Sequence, residues 1–403
     1  FDSENPEDLW KWMQAWEDKT GGSLLAIPHN GNLSNGQMFE SKRFNGQPIT
    51  KQWAEERARW EPLVEVFQIK GTSETHPSLS PNDEFASFGI WDTANLNGVV
   101  KKDGDLQGEY LREALKTGLR LQTEFGVNPF KYGMAAGSDT HNSLATGGEE
   151  GNFWGKFVAD QPSPKRWDHV MFKQQDGFKR LGWTQVAAGI TGVWATANTR
   201  EALWDAMKRK ETYASSGPRL SVRFFGGYDF TDKDADPASL AASGYARGVP
   251  MGGDLRAAPA GKPPTFLFAA MKDPQGANLD RAQIIKGWVD DKGQTHEKIF
   301  NVAWSQQDQR KEVDGKLTPV SNTVDLATAT YQNSIGASEL MGAFTDPEFD
   351  PAQRAFYYLR AVEIPTPRWT AYDAQRFNLQ MTPDVPMIQQ ERVVTSPIWY
   401  NPS

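Results

Sequence analysis

Ala135-Ala136-Gly137-Ser138-Asp139-Thr140-His141-Asn142 closes a short apolar run that begins near Lys131. The run predicts a buried strand ended by Gly137. On extended chain, residues i and i+2 project the same way, so Asp139 and His141 leave the mouth of that strand together. A carboxylate beside an imidazole is half of a hydrolytic metal site. The other reading is a turn in which Asp139 caps local amides and His141 sits on the surface. What the neighbouring segments deliver favours the first.

Upstream, helix and strand signals alternate. Asn5-Pro6 caps an opening helix with Leu9, Met13 and Trp16 on one face, and Gly21-Gly22 stops it. Leu24 to Ile27 predicts a short strand running into Pro28-His29-Asn30-Gly31-Asn32. Thr50 caps a second helix with Trp53 and Trp60 inward. Leu63 to Ile69 is the next strand, delivering Lys70 and then Gly71-Thr72-Ser73-Glu74-Thr75-His76. A third helix carries Leu111, Leu115 and Leu119 before Gly126. Beyond the Asp139 strand, Val186 to Trp194 reads as extended, and Thr199 caps a helix over 201–210. This alternation predicts a mostly parallel sheet, a β/α barrel or part of one. His29, then Glu74 with His76, then Asp139 with His141 each follow the carboxyl end of a strand, the rim where barrels build chemistry. Three of the five histidines lie there. His169 and His296 fall in polar loop or hairpin segments and read as structural.

From about Leu220 the texture becomes β-rich. Residues 221–225, 265–271, 283–290, 297–304 and 355–364 predict strands, with Asp290-Asp291-Lys292-Gly293 as a hairpin turn. A sandwich-like region covering one side of the barrel follows. The expected divisions are 1–219 for the barrel part, 220–364 for the β-rich part, and 365–403 for an extended return and tail. A net charge of −8 argues against a nucleic-acid surface. No apolar run approaches a membrane span. With no cysteine, thiolate metal sites and disulfides are excluded. No Gly-x-Ser-x-Gly elbow supports a serine hydrolase.

Ile27-Pro28-His29-Asn30, Glu74-Thr75-His76 and Gly137-Ser138-Asp139-Thr140-His141 resemble late motifs of the PHP (polymerase and histidinol phosphatase) superfamily of metallohydrolases. Thr199-Arg200-Glu201-Ala202-Leu203, Tyr213-Ala214-Ser215-Ser216-Gly217-Pro218-Arg219, Met251-Gly252-Gly253-Asp254 and Glu363-Ile364-Pro365-Thr366-Pro367-Arg368-Trp369 resemble one uncharacterised bacterial family within it. The resemblance implies a distorted β/α barrel with two or three divalent ions (Zn, Mn or Fe) at its carboxyl rim. It matches His29, Asp139 and His141 to metal ligands and places Glu74 and His76 in the pocket. Asn30, Asn32, Lys70 and Asn142 are its candidate substrate contacts. PHP proteins open with a His-x-His strand and further ligands, which nothing before His29 supplies. A preceding segment completing barrel and site is therefore expected, and family members with export signals point to a periplasmic or secreted bacterial protein.

The expected chemistry is metal-dependent hydrolysis of a small phosphoric ester, an activated hydroxide attacking while Glu74 or His76 moves a proton to the leaving group. The alternatives are carboxylic esters, carbamates or lactones at the same site, or a metal-containing binding protein without turnover.

Overall fold

The computed structural model describes residues 2–144 and 147–402. Helix α1 (Pro6–Thr20) begins where the Asn5 side chain accepts the Glu7 amide, and ends at Gly21, whose φ of 69° suits glycine. Helix α2 (Lys51–Trp60) is capped by Thr50, which accepts from the Trp53 amide. Strand β1 (Leu63–Gln68) and the two-residue β2 (Gly71–Thr72) follow, then helix α3 (Leu111–Phe125), stopped at Gly126, and strand β3 (Gly133–Ala136). β1 and β3 run parallel, with Leu63 opposite Gly133, while β2 folds back on β1. Trp10, Trp53, Trp60, Leu115 and Leu119 join Val64 and Val66 in one buried core.

Leu24–Ile27, expected as a strand, lies as irregular extended chain. It is tied down by only two backbone bonds, Ala26 N–H to Trp60 O at 2.8 Å and Glu65 N–H to Pro28 O at 3.0 Å. Pro28 has no amide to continue a ladder, and the segment stays half exposed.

The free edge of β3 is covered by hydroxyls rather than by another strand's backbone. Thr191 Oγ1 accepts the Ala136 amide at 2.8 Å and donates to the Ala136 carbonyl at 2.7 Å. Ser396 Oγ accepts the Met134 amide at 2.8 Å, and Thr212 Oγ1 donates to the Met134 carbonyl at 2.8 Å. Every backbone group of a buried edge needs such a partner.

Those hydroxyls belong to an eight-stranded sheet. Its path runs Asp254–Leu255, Ile398–Tyr400, Ala355–Glu363, Arg392–Thr395, Thr212–Ser215 and Ile190–Val193, with Leu279–Val289 and Thr295–Trp304 branching from Ala355–Glu363. A four-stranded sheet, Glu339–Thr345, Thr265–Met271, Ser221–Gly227 and Gly248–Pro250, packs against it. Phe266 meets Tyr357 at 4.4 Å and Phe300 meets Phe344 at 5.0 Å between ring centroids, inside a core that also holds Val222, Phe268 and Leu359. All five expected strands of the β-rich region form. The larger sheet, however, takes Ile190–Val193 and Thr212–Ser215 from before the expected boundary near Leu220. The expected tail, 365–403, packs into the rest of the chain. Arg392–Thr395 enters the sheet between Ala355–Glu363 and Thr212–Ser215, fully buried, because its Val-Val-Thr run suits a two-faced interior strand. Trp369–Phe377 is a helix where extended chain was expected.

Among the described residues, parallel pairing is limited to β1 with β3 and Asp254–Leu255 with Ile398–Tyr400, and no closed barrel forms. None of their helices is long and apolar enough to cross a membrane.

Candidate functional site

The parallel register of β1 and β3 continues past their ends: Gly137 N–H donates to Phe67 O at 3.1 Å, and Ile69 N–H to Ser138 O at 3.2 Å. Lys70 and Asp139 therefore emerge side by side at the carboxyl rim. Asp139 holds φ at 54° and Asn30, on the neighbouring segment, at 63°. Asp and Asn tolerate that left-handed conformation better than most residues, and such backbone clusters at functional rims.

Asp139 is the hub. Its Oδ1 stands 3.0 Å from His141 Nε2, but the left-handed backbone at Asp139 brings the two together through a turn, not by alternation along extended chain. Lys70 Nζ is in direct contact with Oδ2. Lys156, from a distant loop, places Nζ 2.8 Å from both Asp139 Oδ2 and the Asp139 carbonyl, and 3.1 Å from His141 Nε2. The His141 amide donates to Lys156 O at 2.7 Å, which fixes that loop against the rim. Burial, and then the Lys156 ammonium, pull Lys70 down to about 7, with the Glu65 carboxylate opposing the shift. Burial lowers Lys156 as well. The Lys156 charge, ahead of desolvation and Lys70, lowers His141.

Glu65 forms the floor. It accepts from Gln68 Nε2 at 2.6 Å, and Gln68 also donates to Asn30 Oδ1 at 2.7 Å. Burial pushes the Glu65 carboxyl up, opposed by the Gln68 amide, His29 and Lys70. His29 stands on this side of the rim, next to Glu65. No hydrogen bond joins it to Asp139 or His141 among the described residues.

A divalent ion at this rim would need oxygen and nitrogen donors converging on one point. Asp139 Oδ2, the Asp139 carbonyl and His141 Nε2 do converge, on the Lys156 ammonium. The donor chemistry therefore fits a borderline cation. The count falls short of a full set, because no three His, Asp or Glu side chains group closely enough among the described residues. Asp139 and His141 supply donors of the right type, with His29 and Glu65 alongside.

The remaining expected residues are placed elsewhere. Glu74, 3% exposed, is locked in a buried ion network. Its Oε1 accepts from Arg112 at 2.9 Å, Tyr358 at 2.8 Å and Arg360 at 3.3 Å. Asp83 shares both arginines. This joins α3 to the sandwich, and the geometry gives no support to Glu74 as a proton shuttle. His76 is clamped by Ser78 Oγ at 2.6 Å and Asp92 Oδ2 at 3.2 Å, beneath the Tyr110 ring, and is a loop anchor on the same grounds. Asn32 is fully buried, donating to Lys70 O at 3.1 Å and accepting from Ser73 Oγ at 3.0 Å; it shapes the segment under Lys70 and is not a substrate contact. Asn142 donates to Gly155 O at 3.0 Å, tying the His141 turn to the Lys156 loop.

Sequence homology bears on the whole chain at once. A family model described as a protein of unknown function, DUF3604, matches residues 1–402. The chain belongs to the DUF3604 family. No curated protein and no solved structure matches it.

Two site residues of this DUF3604 chain escaped the sequence reading. Glu65 had a signal, a lone carboxylate inside Leu63-Val64-Glu65-Val66-Phe67, where a buried strand otherwise admits only apolar side chains. Lys156 had none. It sits in Trp154-Gly155-Lys156-Phe157 and reaches Asp139 only through the loop's tertiary path.

Proposed function

We infer that this DUF3604 chain carries part of a PHP-like centre for metal-dependent hydrolysis of a small anionic, phosphoric-type ester. The observation that carries the reading is the convergence of Asp139 and His141 on a cationic position, held at 2.8–3.1 Å by the Lys156 ammonium at the carboxyl rim of β1 and β3. Asp139, His141 and His29 would hold the ion, which when bound supplies Lewis-acid activation of water and neutralises developing charge.

The chain's own residues account for the rest. Lys70 and Lys156 are two ammonium groups at one rim, suited to orienting an anionic ester and offsetting its charge in the transition state. Beside them lies an apolar pocket of about 150 Å³ walled by Leu33, Trp91, Phe157 and Met171, sized for a small apolar substituent of the ester. Glu65 and Gln68 hold the Asn30 segment in place, so His29 is presented from a fixed backbone.

Elemental analysis after dialysis against Zn or Mn, with turnover assayed on aryl phosphates and aryl carboxylic esters, tests this. Asp139→Asn should lose metal and phosphate-ester turnover while the circular dichroism spectrum stays native. Wild type that retains no metal would end the metal reading. Metal retained with no turnover of either ester class would make the chain a binding protein.

A further inference from the structure

A large cavity rich in arginine lies apart from Asp139. It has a volume of about 810 Å³ and is bounded by the 84–93 segment, the 178–186 segment and the 386–392 segment. Four arginines line it: Arg180, Arg281, Arg368 and Arg392. Arg281 is neutralised by Glu84 and by Asp280 at 3.2 Å. The other three, 4–6% exposed, form no ion pair among the described residues. Arg180 donates to Thr93 Oγ1 at 2.6 Å and lies over the Trp91 ring at 4.7 Å. Arg368 donates to Trp183 O at 2.8 Å and to Gln185 O at 2.5 Å. Arg392 donates to Phe85 O at 2.8 Å and to Gln390 O at 3.0 Å, over Phe88 at 4.1 Å. Neutral carbonyls, a hydroxyl and ring faces satisfy these donors but cancel no charge.

Three guanidinium charges withdrawn from water without a carboxylate in direct contact are costly, which is why buried arginines are normally paired. Carboxylates act on the three only at longer range, Asp92 on Arg180, Glu150 and Glu391 on Arg368, and Glu74, Asp83 and Glu391 on Arg392. Of the acids that border the cavity, Glu84 and Asp280 pair with Arg281, and Asp384 is exposed at the mouth, where Lys179 also stands.

We propose that this cavity is a binding site for a small organic oxyanion, a molecule bearing carboxylate, sulfate or phosphate groups, held by Arg180, Arg368 and Arg392. The volume lies in the range of small-molecule sites, well above that of a bare inorganic ion. Phe85, Phe88, Phe178 and Trp183 on its walls suit an organic body rather than a bare ion. Among the described residues Arg180 has only Nη2 hydrogen-bonded, which leaves its Nε and Nη1 as donors for an oxyanion. Burial lowers all three guanidinium groups, Arg392 to about 10, a penalty that a bound anion would relieve. The proposal does not depend on the metal reading, since none of the three arginines touches Asp139 or His141.

The test is isothermal titration of the full chain with citrate and with phenyl phosphate at constant ionic strength, with a quaternary ammonium salt as the control. Wild type should bind the anions and not the cation. Arg180→Gln and Arg368→Gln should each weaken binding at least about tenfold, while Arg180→Lys keeps part of it. Lys19→Gln, an exposed charge on α1 away from both sites, should leave it unchanged. If Arg368→Gln fails to fold, the Arg180 pair still decides, because that side chain is held by a single hydrogen bond. No anion binding by wild type would overturn the proposal, and so would equal affinity in Arg180→Gln. Binding lost in Lys156→Gln but not in Arg180→Gln would assign the anion to the lysine rim instead.

Discussion

Arg360→Met should destabilise this protein by about 3 kcal/mol, the lower end of the cost of breaking one partner out of a buried pair. Arg360 is fully buried, and its Nη1 and Nη2 hold Asp83 at 2.9 and 2.7 Å while Nη1 reaches Glu74 at 3.3 Å. Met retains much of the aliphatic volume, so the loss is chiefly electrostatic. Arg112 remains, 2.9 Å from Glu74 and 2.8 Å from Asp83, which is why the cost falls at the low end. Urea unfolding followed by tryptophan fluorescence reads it as a lower midpoint at constant m. The pH dependence adds a signature. Burial alone would raise Asp83, but Arg360 and then Arg112 hold it well below the carboxylate range. A depressed folded pKa gives stability that is present above the unfolded value of about 3.9 and is lost as pH falls below it. Without Arg360 that contribution shrinks, so the gap between wild type and variant should narrow as pH drops below about 4. A loss under about 1 kcal/mol, the worth of a surface pair, or a gap that widens in acid, would refute the reasoning.

Glu74→Gln should likewise cost about 1–3 kcal/mol of stability and leave kcat of the folded, metal-loaded protein intact; a large fall in kcat would restore Glu74 to the chemistry. Lys156→Gln removes the first cause of the lowered His141 titration, so the imidazole resonances in long-range heteronuclear NMR should titrate at higher pH than in wild type. Thr191→Val deletes both bonds that cover the edge of β3 at Ala136 and should cost about 1–3 kcal/mol, with faster amide exchange at Ala136. Gly192→Ala would set a Cβ 2.0 Å from the Tyr213 ring, and the displaced ring should lower stability by about 1–3 kcal/mol.

What the sequence determined by itself was local. Asn5, Thr50 and Thr199 announced helix starts, and Gly21 and Gly126 announced stops, because capping is settled by a few adjacent atoms. Asp139 and His141 were legible as polar residues just past a strand end, although a left-handed turn at Asp139, not alternation along extended chain, brings them together. The tertiary structure decided everything that depends on distant partners. Glu74 and His76 follow a strand end just as Asp139 does, yet Arg112, Arg360 and Tyr358, hundreds of residues away or on another helix, turn Glu74 into part of a buried rivet. Lys156 joins the site through a loop whose course no spacing rule encodes. The Val393-Val394 strand shows the same limit. Its composition marks it as buried, but its seat inside the sheet is set by pairing with Ala355–Glu363 and Thr212–Ser215, a choice made by packing between segments far apart in the chain.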